Sequence, residues 1–97
     1  MPNAVPEIKV EINLQRFGTA VPVGYRPHLR VGDGEYLGIE VVRASEGIAK
    51  GRAQAIVRLL YWPQVNYDAL SPGAAFDVLE GPNVVGHGRV IEGRHAI

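Results

Sequence analysis

The chain contains no cysteine, which excludes a disulfide framework, a thiol nucleophile and every cysteine-based metal site. The absence of cysteine fits a reducing compartment, and we therefore expect a cytoplasmic protein. No apolar run approaches the roughly 20 residues that a membrane-spanning helix needs, and the amino terminus lacks the basic and apolar regions of a signal peptide. The sequence thus predicts a soluble protein without a membrane partner.

Charge of one sign is not in excess, because ten basic residues balance ten acidic ones in the 97-residue chain. A neutral protein has no built-in attraction for nucleic acid or for an anionic membrane. Eight of the ten basic residues are arginines, whose planar guanidinium suits phosphates and carboxylates. A local binding patch therefore stays open, beside the simpler interpretation that these arginines are solvated strand residues.

A pattern typical of a helix of normal length is also missing, and apolar residues alternate with polar ones instead. The clearest alternation lies in residues 7–15, where Ile8, Val10, Ile12 and Leu14 are each separated by a polar residue. Because successive side chains of a strand point to opposite faces, this period of two predicts a strand with one buried face.

Further strands follow at short intervals along the chain. They are predicted as a hairpin over 28–42 around the Asp33-Gly34 turn, and as single strands over 52–61, 76–80 and 84–92, with irregular connections at 16–24 and 43–51. A helix is the alternative for 52–61, but Pro63 would end it and the β-branched residues favour a strand. Six short strands in fewer than ~100 residues indicate a small closed barrel or a sandwich. We expect one all-β domain over residues 1–97, with mobile termini at 1–6 and 93–97.

Two segments are similar to a known family. The first is Val23-Gly24-Tyr25-Arg26-Pro27-His28, and the second combines Phe76-Asp77-Val78-Leu79-Glu80-Gly81 with Val85-Gly86-His87-Gly88-Arg89-Val90. They resemble the C-terminal β-barrel, domain III, of the translation elongation factor Tu family, which has a Gly-Tyr-Arg-Pro segment, a Phe-x-x-x-Glu-Gly turn and a final Val-Gly-x-Gly-x-Val strand in this order. The resemblance covers residues 7–92 and implies a six-stranded antiparallel Greek-key barrel.

The sequence departs from that family in one functional respect. In the family the barrel follows a GTPase domain and a second barrel, whereas here we expect a stand-alone barrel. The chain has no Gly-x-x-x-x-Gly-Lys-[Ser/Thr] loop that could cradle nucleotide phosphates or place a magnesium ion. We therefore expect no GTPase activity, no bound nucleotide and no cofactor.

Residues that could carry other chemistry are few and scattered. His28, His87 and His95 fall on different predicted strands or near the chain end, whereas zinc needs three or four converging ligands. The only serines are Ser45 and Ser71, and neither stands in a nucleophile elbow. No paired carboxylates and no nucleophile beside a base are visible, so we expect neither a metal site nor a catalytic site, and no enzyme.

Two segments carry the binding predictions. The resemblance places Tyr25 and Arg26 where the family's barrel approaches its tRNA and GTPase-domain partners; alternatively, Tyr25 packs over the barrel end and Arg26 pairs with a local carboxylate. Tyr61, Trp62 and Tyr67 form an aromatic cluster, which suits either an interface hot spot or a plug at a barrel end.

The leading hypothesis is a non-catalytic binding module that contacts a protein partner or a second copy of itself, because an isolated barrel would expose the surface that its relatives bury. The alternative is binding of tRNA, which Arg26, Arg30 and Arg89 favour and the neutral net charge opposes; a small enzyme is least favoured. The predicted contact residues are Tyr25, Arg26, His28, Arg30, Trp62, Tyr67, His87 and Arg89.

Overall fold

The computed structural model describes residues 6–14, 21–44 and 52–95. Within these ranges the chain forms six strands and no helix: β1 (Glu7–Leu14), β2 (His28–Arg30), β3 (Leu37–Ala44), β4 (Arg52–Leu59), β5 (Ala75–Glu80) and β6 (Asn83–His95). A helix able to cross a membrane is accordingly not found in these residues. Residues 16–20 and 45–51 of the predicted connections, and residues 1–5 and 96–97 of the predicted mobile termini, lie outside the described ranges.

All predicted strands are confirmed, with some ends displaced. The segment predicted over 52–61 is a strand rather than a helix, and it ends at Leu59 where the chain turns. β6 extends beyond the predicted strand end at residue 92, continues to His95 and pairs there with Glu7. At the other end Pro6 is buried, and its carbonyl accepts a hydrogen bond from the backbone of Leu59.

The strands close into an antiparallel barrel in the order β1-β4-β3-β2-β5-β6. β2, β3 and β4 are neighbours in chain order, and β1 lies beside β4 rather than beside β2. This is the Greek-key arrangement. β1 also pairs with β6, so the ring is complete and each strand has a neighbour on both sides. Closure removes the exposed edges that would otherwise invite unspecific strand pairing.

One face of each strand supplies the core. The four predicted apolar residues of β1 are at most 1% exposed, and β4 adds Ala53, Ala55, Val57 and Leu59 from alternate positions. Burying a fully covered aliphatic side chain contributes about 1.5–3 kcal/mol. Among the described residues no polar or charged residue is buried, so the barrel interior is an apolar, filled core and the polar side chains face outward.

Two glycines of β6 let neighbouring elements approach closely. A Cβ on Gly88 would overlap the backbone carbonyl oxygen of Glu11 and the ring of Phe76. A Cβ on Gly86 would overlap the carbonyl oxygen of Asn13 on the same strand, β1. Glycines inside a strand often mark such a close approach of another backbone, and Phe76 occupies the core space that a side chain at position 88 would need.

Candidate interaction surface

A cluster of aromatic and cationic side chains surrounds Gly38 on the outer face of β2 and β3. His28 lies directly across from Gly38 in the strand register, and the ring of Tyr61 lies against Gly38 where a Cβ would otherwise be. The ring centroid of Tyr36 lies 5.9 Å from that of His28 at an interplanar angle of 51°. The guanidinium of Arg30 lies 5.5 Å from the Tyr36 ring centroid. We call His28, Arg30, Tyr36 and Tyr61 the aromatic patch.

The period of two places this patch on the outside. Leu29 and Leu37 point into the core, so their neighbours His28, Arg30 and Tyr36 face outward. The Tyr36 side chain is 43% exposed and that of Tyr61 is 53% exposed. Tyrosine and arginine are the residue types enriched in protein-binding hot spots, so the composition of the patch suits a contact surface.

Arg30 is the member of the patch whose polar groups are least satisfied. Its Nε atom is buried without a hydrogen-bond acceptor, and the guanidinium forms no ion pair with the residues that the structure describes. Asp77 lies across from Arg30 in the register of β2 and β5. Its carboxylate, however, lies 3.0 Å from Nδ1 of His87 on β6. Among the described residues, the contact found for the Arg30 guanidinium is the one with the π-face of Tyr36, an interaction worth ~0.5–1 kcal/mol at an exposed site.

His87 and Arg89 lie on β6, on the far side of β5 from the aromatic patch. The His87 side chain is 68% exposed and is oriented by its contact with Asp77. Arg89 borders a shallow groove of about 310 Å³ between β1 and β5, which Glu11 also lines. Within the described residues no three histidines, cysteines or carboxylates come together as metal ligands would. This side of the barrel thus offers isolated polar groups on a sheet face.

Arg26 belongs to a row of alternating charges that crosses the outside of the barrel. Its guanidinium lies 3.5 Å from the carboxylate of Glu40 on β3. Glu40 also lies 3.6 Å from Arg58 on β4, and Arg58 lies 3.8 Å from Glu7 on β1. The interpretation that Arg26 pairs with a local carboxylate is therefore confirmed. Such exposed pairs contribute ~0.2–1 kcal/mol each.

Tyr25 and Trp62 are partly buried and pack against the core. The Tyr25 hydroxyl donates a hydrogen bond to the carboxylate of Glu80, at the end of β5. Its backbone carbonyl accepts a hydrogen bond from Val41 of β3, so the segment before β2 is attached to strands on both sides. Tyr25 packs over the barrel as the structural interpretation predicted, and Trp62 exposes only part of its ring.

Tyr67 is a core residue and not a surface contact, which corrects its assignment to the contact residues. Its side chain is 1% exposed, because the 60–74 connection folds back over the barrel end. The hydroxyl donates to the carbonyl oxygen of Gly38 at 2.7 Å and accepts from the backbone N–H of Tyr61 at 3.0 Å. Burial raises the pKa of this hydroxyl above its ordinary value of 10.0. Tyr67 thereby fixes the backbone of Tyr61 beside Gly38 and positions part of the aromatic patch.

Sequence reasoning missed Tyr36 and undervalued Tyr61. Tyr36 was available from the alternation, since it precedes an inward Leu37 and must face outward with His28 and Arg30. By alternation Tyr61 would share the inward face of Leu59, but β4 ends at Leu59, and the Tyr61 side chain is 53% exposed in the turn that follows. Of the predicted contact residues, only His28 and Arg30 lie in the aromatic patch.

Comparison with protein-family models, with curated proteins and with solved structures found no match to this chain. The similarity to domain III of elongation factor Tu therefore stays a prediction from the quoted motifs. The closed barrel itself is established independently by the pairing of the strands.

Proposed function

We propose that this chain is a non-catalytic binding module that contacts a protein partner through the aromatic patch. The observation that carries the proposal is the pair of exposed tyrosines, Tyr36 against Arg30 and Tyr61 against Gly38, together with an Arg30 guanidinium that has no ion-pair partner among the described residues. Large rigid rings with a polar tip supply much contact area for little loss of conformational entropy. Because the barrel interior is filled by its own side chains, a partner binds on the outer surface.

The patch is also held in place before any partner arrives. The backbone of Tyr61 is held by its hydrogen bond to the Tyr67 hydroxyl, which is itself bonded to Gly38, and Tyr36 is flanked by the His28 ring and the Arg30 guanidinium. A surface that is already ordered loses less entropy on binding, which favours affinity. The resemblance to a barrel that approaches partner molecules in its family supports the same proposal, and the cysteine-free sequence supports action in the cytoplasm.

Binding of tRNA is the second candidate, and one observation favours it. Arg30 and Arg89, on β2 and β6, form no ion pairs with described residues, so both guanidinium groups are available to phosphates. The row of charges that includes Arg26 opposes this candidate, because the charges alternate in sign and the Arg26 guanidinium already contacts Glu40. The neutral net charge opposes it too.

The proposal is tested by site-specific photo-crosslinking in cells. A photoreactive phenylalanine analogue replaces Tyr36 or Tyr61 in two separate variants, and replaces Val84 in a matched control, because Val84 is 48% exposed and lies on β6, separated from His28 of the patch by β5. We expect crosslinked adducts from positions 36 and 61 and none from position 84, since crosslinking reports direct contact. Adducts are identified by mass spectrometry with and without ribonuclease treatment.

Three results would contradict the proposal. No adduct at position 36 or 61, or equal adducts at position 84, would remove the patch as the contact surface. Adducts that disappear only in the ribonuclease-treated arm would show RNA as the partner and transfer the assignment to the second candidate.

A further inference from the structure

The turn that carries Tyr36 places unpaired charges of both signs beside the aromatic patch. Arg30 ends β2, and Glu35 directly precedes Tyr36 in the turn that leads to β3. Glu35 is exposed and, like Arg30, forms no ion pair within the described ranges. Asp33 is exposed in the same turn, where the Asp-Gly sequence serves the backbone conformation. Together the patch and this turn present two exposed tyrosines, the cation Arg30 and the anion Glu35, and neither charge forms an ion pair within the described ranges.

We propose that the aromatic patch binds a second copy of this chain across a two-fold axis, with Arg30 of each copy paired to Glu35 of the other. This inference rests on the proposed function and names the partner. A two-fold interface uses the same patch twice, so the patch has to complement itself. A patch with one free cation and one free anion beside exposed aromatic rings meets this condition, because each copy supplies the charge that the other lacks.

Charge complementarity favours a second copy over a nucleic acid or a strongly charged protein. Glu35 and Asp33 would repel phosphates at the place where Arg30 would attract them. An acidic partner would meet the same carboxylates, and a basic partner would meet Arg30. Two copies of a chain with a net charge of zero have no overall repulsion to overcome, and proteins near neutrality associate more readily.

A hollow in the surface beside the patch has room for side chains of the second copy. A hollow of about 240 Å³ lies between this turn and the 60–74 connection, with Val31, Glu35 and Leu37 in its wall. The hollow borders the turn from which Tyr36 projects, so a two-fold axis nearby brings Tyr36 of one copy towards the hollow of the other. A contact made by the four patch residues and one turn is at the small end of specific interfaces. We therefore expect the dimer to dissociate at roughly micromolar concentrations.

The inference is tested by sedimentation equilibrium with exchanged charges. The variants are Arg30→Glu and Glu35→Arg, measured alone and as an equimolar mixture. Each single variant places like charges across the two-fold axis, so we expect its dimer to dissociate at least tenfold more readily than that of the unchanged chain. In the mixture every cross-axis pair is again of opposite sign, so we expect a heterodimer with the unchanged chain's affinity.

The matched controls carry the same charge changes at positions outside the patch. Arg43→Glu on β3 and Glu11→Arg on β1 alter exposed or half-exposed charges away from Arg30 and Glu35. We expect both controls to dimerise like the unchanged chain. Rescue in the mixture also shows that both reversed chains are folded. If circular dichroism shows that Arg30→Glu alone does not fold, the test is a comparison of Glu35→Arg with Glu35→Gln. We then expect the charge reversal to weaken the dimer more than the neutral change does.

Several outcomes would overturn the inference. They are an unchanged chain that is monomeric up to about 500 µM, a dimer that neither reversal weakens, and two weakened variants that do not rescue each other. A monomeric chain that still crosslinks another protein from positions 36 and 61 would retain the proposed function and remove only the second copy as the partner. Loss of both results would remove the proposed function as well.

Discussion

At the scale of single residues, Tyr67 joins the core to the candidate surface. A buried hydroxyl gives the N–H of Tyr61 an acceptor and gives the carbonyl of Gly38 a second donor beside the N–H of Leu60. The same ring fills space between the 60–74 connection and the strands. One side chain thus stabilises the fold and determines where Tyr61 lies.

We expect Tyr67→Phe to lower the free energy of unfolding by ~1–3 kcal/mol. The ring stays in the core, but the carbonyl of Gly38 and the N–H of Tyr61 each lose a partner. Urea denaturation followed by circular dichroism measures the change. Tyr36→Phe is the matched control, because the Tyr36 hydroxyl forms no hydrogen bond within the described residues; an equal loss in both variants would contradict this assignment.

Tyr67 should also make the protein sensitive to alkali. Burial raises the pKa of the folded-state hydroxyl above 10.0, whereas the unfolded chain ionises this group near its ordinary pKa. The contribution of Tyr67 to stability is therefore complete below about pH 10 and is lost as the pH rises through and beyond that value. Denaturation at about pH 8 and pH 11 should show a smaller decline in Tyr67→Phe than in the unchanged chain, and identical declines would refute this expectation.

At the scale of elements, the glycines of β3 and β6 serve different purposes. The atoms nearest to a Cβ on Gly88 of β6 are a backbone oxygen of β1 and the ring of Phe76, whereas the three nearest to a Cβ on Gly38 of β3 belong to the ring of Tyr61. A backbone oxygen in a closed barrel has no freedom to move aside, but a half-exposed side chain can rotate into solvent.

We therefore expect Gly88→Ala and Gly38→Ala to differ. Gly88→Ala forces β6 away from β1 and should cost ~1–3 kcal/mol of unfolding free energy or more. Gly38→Ala should change stability much less while displacing Tyr61, so it should reduce crosslinking from position 61. Paired urea titrations and crosslinking measure both effects, and a larger loss of stability in Gly38→Ala would contradict the contacts described for these glycines.

The elements also show how far alternation reaches as a predictor. It identified β1 and its four core residues because that strand is long and uninterrupted. It failed at Tyr61, because a turn beyond Leu59 ends the period of two. The hairpin around Asp33-Gly34 was predicted with a tight turn, but β2 is limited to His28–Arg30 and the irregular turn over 31–36 is longer. That longer turn brings Tyr36 against the Arg30 guanidinium and places Glu35 in the wall of the hollow beside Val31 and Leu37.

At the scale of the whole molecule, closure makes the six strands depend on one core. Each strand pairs on both sides; β1, for example, pairs with β4 and with β6. The loss of one strand therefore opens the ring and exposes apolar surface of its neighbours. Small domains of this kind unfold as a single cooperative unit. The 60–74 connection takes part, because Tyr67 and Leu70 are buried with the core.

We accordingly expect one unfolding transition. Fluorescence of Trp62, the only tryptophan, reports the 60–74 connection, whereas far-ultraviolet circular dichroism reports the strands. Both signals should give the same urea midpoint, because the connection and the barrel share buried contacts. An earlier midpoint for Trp62 would show that the connection, and with it Tyr61 of the aromatic patch, unfolds separately.

Sequence alone was sufficient for the six strands, the inward face of β1 and the all-β architecture, because local alternation and turn residues act over a few neighbouring positions. It also named His28 and Arg30 as contact residues. Only the tertiary structure decided which side chains meet across strands: Asp77 with His87, Arg26 with Glu40, and Tyr61 with Gly38. These contacts depend on strand register, turn length and the course of the 60–74 connection, all of which are determined by packing between segments that lie far apart in the chain.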